Sequence, residues 1–297
     1  MSARLSSAAV AALSLALLAA CGNASAAEPA ESPTPKGQER RYRIQAIVAD
    51  CMKQKGFKYV PWVAPPREPT EQERKRGSGD YDAMKAFRDK YGYGVWALLV
   101  YPLEFGNPSV KPGGNPPVDP NLRIQGSLSD AQRRAYQAAH DACDNQAVKQ
   151  VTGKDVTSMF DRNDQVNARI AQLKTRELDG DPRLVELAAA MGSCLKAKGY
   201  AIRSVTPSAL GERGVTTFNA ELNRVGRRQR TAPEEARRNE NVIVVPDMTA
   251  DEARPYLTRE IKDARDDLEC GREFYPVYAP KSAEIEHRAY VEYGLEG

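Results

Sequence analysis

The chain is 297 residues long, with 43 basic and 40 acidic side chains and a formal net charge of +3 at pH 7. This near balance provides no basic field of the kind that nucleic-acid binding needs, so we expect no nucleic-acid partner. The length suffices for one large domain or two small ones, and an aromatic share of 7% favours modest cores.

Residues 1–20 hold one early charge, Arg4, followed by the apolar run 5–20. A membrane span needs about 20 apolar residues, so this run predicts a secretory signal peptide instead. Leu-Ala-Ala-Cys at 18–21 resembles the lipobox of bacterial lipoproteins. The resemblance implies cleavage before Cys21 and a diacylglycerol on its thiol, which makes the membrane a partner. The alternative is an ordinary signal peptide that is cut near Ala27 and discards Cys21.

Residues 21–39 are small, polar and rich in proline. Such a segment cannot bury enough apolar surface to offset its chain entropy, so we expect a disordered tether that carries the lipid and holds the body off the membrane.

One stretch occurs twice, as Cys51-Met-Lys-Gln-Lys-Gly-Phe57 and as Cys194-Leu-Lys-Ala-Lys-Gly-Tyr200. Each closes an amphipathic pattern with a glycine that favours a helix end and an aromatic residue that favours a strand start. The repetition predicts a mainly α (α+β) fold of two homologous units with short strands. The units are residues 40–150 and 181–276, with a helical connection at 151–180 and a helical tail at 277–297.

In the first unit the patterns predict a helix over 41–55, a strand over 57–60 and a helix from Asp80 to Tyr91. A glycine- and proline-rich loop follows at 105–120, then a strand at 122–125. Ser129 and Gln132 form a capping box for the last helix.

In the second unit we expect helices after Asp181 and around Phe218, with short strands at 200–205 and 242–245. The charged stretch 227–238 indicates a solvated connection. Leu-Ser-x-x-Gln-x-Arg-x-Tyr at 128–136 matches Met-Thr-x-x-Glu-x-Arg-x-Tyr at 248–256 without a gap.

Four cysteines remain beyond the lipobox, and an exported protein meets an oxidising setting, which favours two disulfides. Four cysteines allow three pairings. The closing cysteine lies seven residues after the matched tyrosine in the first unit and fourteen in the second. Seven residues are close to two helical turns, so both cysteines keep the same helix face. The repeat therefore predicts Cys51 with Cys143 and Cys194 with Cys270.

The lipobox, the tether, the Gly-aromatic stretch, the Tyr-Gly-Tyr-Gly turn at 91–94 and the closing cysteine together resemble uncharacterised secreted lipoproteins of high-GC Gram-positive (actinobacterial) bacteria. The resemblance implies an extracytoplasmic protein, held by its lipid at the outer face of the cell membrane. It implies no activity. The second unit lacks the Tyr-Gly-Tyr-Gly element.

The sequence contains few residues in patterns typical of metal binding or catalysis. His140 precedes Cys143 by three residues, but the cysteine is assigned to a disulfide, and we expect neither a metal site nor a cofactor. His287 is read as a partly exposed helix residue. The adjacent carboxylates Asp266 and Asp267 point about 100° apart on a helix, which favours a solvated face over an acid–base pair.

The candidate binding group is aromatic, because rings near glycine turns can stack on sugars or anchor a protein. It comprises Trp62, Tyr91, Tyr93, Trp96 and Tyr101. The competing interpretation, which we favour, is that these rings pack and cover the junction under the long loop.

The leading hypothesis is a lipid-anchored binding or structural module at the cell envelope, with a cell-wall polymer or an envelope protein as its partner. The alternative is an envelope-associated hydrolase with an unrecognised active site. We favour the non-enzymatic hypothesis because we recognise no catalytic motif in the sequence.

Overall fold

The structure is a computed structural model that describes residues 38–105, 117–229 and 243–295. The predicted signal peptide, Cys21 and nearly all of the tether lie outside these residues, as do parts of the loop at 105–120 and of the connection at 227–238. All described residues belong to one compact unit, residues 35–297.

Within the described ranges the backbone forms eleven helices and no strand, which confirms the prediction of a mainly helical fold. The helices are α1 (Glu39–Gln54), α2 (Glu71–Gly77), α3 (Tyr81–Tyr91), α4 (Ala97–Val100), α5 (Pro120–Gly126), α6 (Asp130–Thr152), α7 (Met159–Glu177), α8 (Pro182–Ala197), α9 (Pro207–Arg228), α10 (Ala250–Cys270) and α11 (Tyr275–Glu292).

Side-chain caps fix where the long helices begin. The capping box of Ser129 and Gln132 opens α6, and a matching box of Thr249 and Glu252 opens α10. Asp181 accepts from two backbone N–H groups at the start of α8. Each cap satisfies N–H groups that the first turn leaves without a partner.

The predicted short strands are wrong for the described residues. The segment at 122–125 lies inside α5, because Asp119 and Pro120 start a helix there. The segment at 57–60 has an amide side chain as its neighbour instead of a strand. Asn121 Oδ1 accepts from the Val60 N–H at 2.9 Å, and Asn121 Nδ2 donates to the Val60 carbonyl at 2.8 Å.

The strands predicted in the second unit are also absent from the described residues. Val244 N–H donates to Asn223 Oδ1 at 2.9 Å, so a side chain again takes the place of a neighbouring strand as the hydrogen-bond acceptor. Val242 lies outside the described residues, and the segment 200–205 is irregular. One amide side chain satisfies the backbone at one residue only, whereas a strand needs a continuous neighbour.

Both predicted disulfides are present. Cys51 is bonded to Cys143 with a Cα–Cα distance of 5.7 Å, and Cys194 is bonded to Cys270 at 5.6 Å. The first joins α1 to α6 over a core of Ile44, Val48, Met52, Tyr136 and Val148. The second joins α8 to α10, beside a larger core shared with α7 and α11.

The two repeated stretches have the same local structure. Gly56 and Gly199 have positive φ angles of 81° and 91°. The next residue then donates its N–H to the carbonyl five residues earlier, at 2.9 Å for Phe57 and 3.0 Å for Tyr200. Both helices thus end in the left-handed glycine cap that the sequence predicts.

The segment containing α3 and α4 packs on α10. Val95, Trp96 and Val100 form a buried cluster with Ala253 and Leu257. Residues 81–100, which the sequence places in the first unit, therefore share a core with the last long helix of the second.

Candidate functional site

Of the five residues in the predicted aromatic group, Trp96 is buried and the other four are half-buried. Trp96 is 0% exposed and stacks on Tyr256 with ring centroids 4.1 Å apart. Tyr91 meets the Tyr101 ring edge-on at 5.3 Å and is half-buried. Trp62 is also half-buried, on the segment after Val60. The packing interpretation therefore applies to Trp96, whose ring is buried and stacked on Tyr256.

The Tyr-Gly-Tyr-Gly turn wraps around a buried carboxylate. Glu260 is 0% exposed and accepts from the backbone N–H groups of Tyr93, Val95 and Trp96 at 2.8, 2.9 and 2.8 Å. Gly92 has a φ of 62°, and a Cβ there would lie 2.7 Å from Glu260 Cγ. Glycine is required because a side chain would occupy the space of the carboxylate.

Burial raises the pKa of Glu260 to about 7, against the opposing effect of the backbone N–H donors. A carboxyl group in an apolar setting resists ionisation, whereas hydrogen bonds to its charged form favour it. The turn and this carboxyl group hold α4 on α10.

A second buried cluster adjoins the turn. Asp267 accepts from Arg88 Nη1 at 2.7 Å, from Arg213 Nη2 at 3.1 Å and from the Tyr275 hydroxyl. Asp263 accepts from the Tyr93 hydroxyl at 2.7 Å and pairs with Arg213. This ionic cluster connects α3, the turn, α9, α10 and α11, and each carboxylate in it has two or more donors.

Burial raises the pKa of the Tyr93 hydroxyl well above its usual value, and the carboxylates of Asp267 and Asp263 add to the rise. Tyr93 therefore stays protonated and donates to Asp263 throughout the physiological range. The hydrogen bonds and ion pairs of this cluster link the helices, which is a structural role.

The sequence interpretation of Asp267 as solvated is wrong. It is 0% exposed, and its neighbour Asp266 is half-buried against Lys198 and Tyr200. One signal pointed to this cluster: Glu260, Asp263 and Asp267 share helical spacing with the buried Ala264 and Leu268, so an acidic stripe runs along the core face of α10.

The histidines lie apart from these clusters. His140 Nδ1 is 3.7 Å from Asp141 Oδ1, its ring is 5.5 Å from that of Tyr59, and Cys143 is in a disulfide. His287 lies on the exposed face of α11. Among the described residues, no group of three His, Cys, Asp or Glu is placed to hold a metal ion.

Two surface grooves contain the aromatic residues of the repeated stretches. The first groove has a volume of about 530 Å³, and its walls include Phe57, Arg123, Ile124, Leu128 and Tyr136. The second groove has a volume of about 640 Å³, and its walls include Tyr200, Phe218, Arg224, Arg259 and Asp263. In each, the aromatic residue after the glycine cap faces the disulfide-bonded long helix and an intervening helix, α5 or α9.

The two grooves differ in how their cations are paired. In the second, Arg259 pairs with Glu221 at 2.7 Å and Lys262 pairs with Asp266 at 3.0 Å. In the first, Lys58 and Arg123 are exposed, and neither forms an ion pair with any described residue. Among the described residues, no carboxylate forms an ion pair with the two cations of the first groove.

The fold and these sites define a disulfide-closed helical protein with two aromatic-walled grooves. Comparison with protein-family models, with curated proteins and with solved structures finds no match to this chain. Among the described helices, none is both long and apolar enough to span a membrane.

Proposed function

We propose that the chain is a lipoprotein anchored through Cys21 to the outer face of the cell membrane, where two duplicated units act as a binding module. The lipobox resemblance supports the anchor. Two disulfides support a location outside the cytoplasm, because structural disulfides form and persist mainly in oxidising compartments.

One observation carries the binding role. Each repeated stretch contributes its aromatic residue, Phe57 or Tyr200, to the wall of a surface groove. Both volumes are within the range of about 300–1,000 Å³ that is typical of ligand sites. A duplicated unit that keeps a groove at the same place in each copy is suited to contacting a repetitive polymer or an envelope protein at two points.

The buried clusters give this module a rigid frame. Asp263 lies at the second groove and also pairs with Arg213 in the ionic cluster, so the groove wall is fixed from inside. Rigid walls reduce the ordering cost of binding.

Site-specific photocrosslinking in intact cells tests the binding role. A photoreactive phenylalanine analogue at Ile124 would report on the first groove, and one at Ala220 on the second. The control position is Val185, which is exposed on α8. We expect discrete adducts from the groove positions and none from the control. Adducts that are absent from both grooves, or equal at all three positions, would refute the role.

Membrane fractionation tests the anchor separately. Cys21→Ala should release the protein into the medium or leave it unprocessed, and mass spectrometry of the wild-type N-terminus should find the lipid. Unchanged membrane retention of the variant would exclude anchoring through Cys21.

A further inference from the structure

The first groove combines an apolar wall with unpaired positive charge. Phe57 and Tyr136 meet edge to face with ring centroids 5.5 Å apart, and Ile124 and Leu128 extend the apolar surface. Lys58 follows Phe57 directly and Arg123 precedes Ile124 directly, so each cation lies beside an apolar wall residue.

The nearby carboxylates keep their negative charge, but their recorded contacts are with groups other than Lys58 and Arg123. Asp119 caps α5 through the Asn121 N–H, and Asp130 pairs with Arg133. Gln132 uses its side-chain carbonyl in the capping box with Ser129. Lys58 and Arg123 are the only charged side chains in the described wall of the groove.

We propose that the first groove binds a single-chain amphiphilic anion, a free fatty carboxylate, with its chain on the apolar wall and its carboxylate between Lys58 and Arg123. This ligand matches both features at once: apolar burial favours the chain, and charge-assisted hydrogen bonds favour the carboxylate. The second groove is not assigned this ligand, because its own carboxylates neutralise Arg259 and Lys262. The assignment rests on the proposed binding role and specifies the ligand of one of its two grooves.

Calorimetric titration of the mature chain, with its disulfides intact and without its lipid, tests the charge requirement. Sodium decanoate is the probe, with decyltrimethylammonium and sodium acetate as comparisons, all below micellar concentrations. We expect saturable binding of decanoate alone. Equal binding of the cationic detergent would overturn the assignment, since it would leave Lys58 and Arg123 without a role.

A matched pair of charge variants locates the binding. Lys58→Glu with Arg123→Glu should weaken decanoate binding by about tenfold or more, because it removes two charge-assisted contacts. Lys53→Glu with Lys196→Glu changes the net charge equally at exposed positions outside the groove and should leave affinity within about twofold. Equal losses in both pairs would overturn the proposal.

A readout that requires no substitution completes the test. In the wild-type chain, amide NMR shifts on adding decanoate should concentrate at residues 56–58 and 123–128 and not at 199–201 or 217–224. Shifts at the second groove, or flotation with phosphatidylglycerol vesicles without decanoate binding, would overturn the assignment. Groove-specific crosslinks in cells combined with no decanoate binding would refute this ligand and leave the binding module standing.

Discussion

Glu260 gives the sharpest test of how α4 is held on α10. Its carboxylate is fully buried, has three backbone N–H donors and has a pKa raised to about 7. In the unfolded chain a glutamate has its ordinary pKa of about 4.5. Between these two values the folded state therefore holds a proton that the unfolded state has lost.

The sign of the pH dependence follows from this difference. A carboxyl group whose folded pKa is raised contributes its full stability below the unfolded pKa and loses it as pH rises through the folded pKa. With values of 4.5 and about 7, the contribution of Glu260 falls by about 2 to 3 kcal/mol between pH 5 and pH 8. Other titrating groups add their own slopes, so only a comparison of variants isolates this one.

The perturbation is Glu260→Gln, which keeps the shape and removes the titration. Urea unfolding at pH 5 and pH 8, with the disulfides intact, gives the free energy of unfolding of both proteins. We expect the wild-type value minus the variant value to fall by about 2 to 3 kcal/mol over this interval. Glu284→Gln, at an exposed position of α11, is the control and should leave the pH profile unchanged. Parallel profiles for wild type and Glu260→Gln would refute the reasoning.

Three further variants test the packing, each by urea unfolding under non-reducing conditions. Replacing Cys51 and Cys143 together by Ala opens a loop with a sequence separation of 92 and should lower the free energy of unfolding by about 4 to 5 kcal/mol; a loss below about 1 kcal/mol would contradict the loop-entropy estimate. Gly214→Ala places a Cβ 1.9 Å from Cζ of Tyr93. We expect the free energy of unfolding to fall by about 1 to 3 kcal/mol, although alanine has the better helix propensity. A variant more stable than the wild type would exclude this contact. Tyr136→Phe removes a buried hydroxyl that has no hydrogen-bond partner in the described structure. The free energy of unfolding should stay unchanged or rise by up to about 1 kcal/mol. A lower free energy of unfolding would show that the hydroxyl has a partner.

The features that sequence predicted well are those encoded over a few neighbouring residues. The box of Ser129 and Gln132 starts a helix with its own side chains, and the glycines at 56 and 199 end helices by their own conformational freedom. The disulfide pairing was accessible because two copies of a pattern restricted three pairings to one. None of these predictions required knowledge of distant contacts.

The ionic cluster was not predictable in the same way. Arg88 and Asp267 are 179 positions apart, and Tyr93 and Asp263 are 170 apart. A charged residue on a helix is usually solvated, and only its packed neighbours reveal that it is buried. The strands failed for a related reason: the segment at 57–60 has strand-like composition, but Asn121, 61 positions from Val60, occupies the place of a neighbouring strand.

Between its capping box and its disulfide, α10 is seven residues longer than α6, and this difference provides room for α4 to pack on α10. Cys143 follows the Ser129 cap by 14 positions, whereas Cys270 follows the Thr249 cap by 21. The disulfide fixes where the partner helix crosses, so α10 extends about two turns farther than α6 on the N-terminal side of this crossing. Those turns carry Ala253, which is 0% exposed in the cluster that contains Val95, Trp96 and Val100. The extra length of α10 therefore provides a packing surface for α4 and for the end of the Tyr-Gly-Tyr-Gly turn.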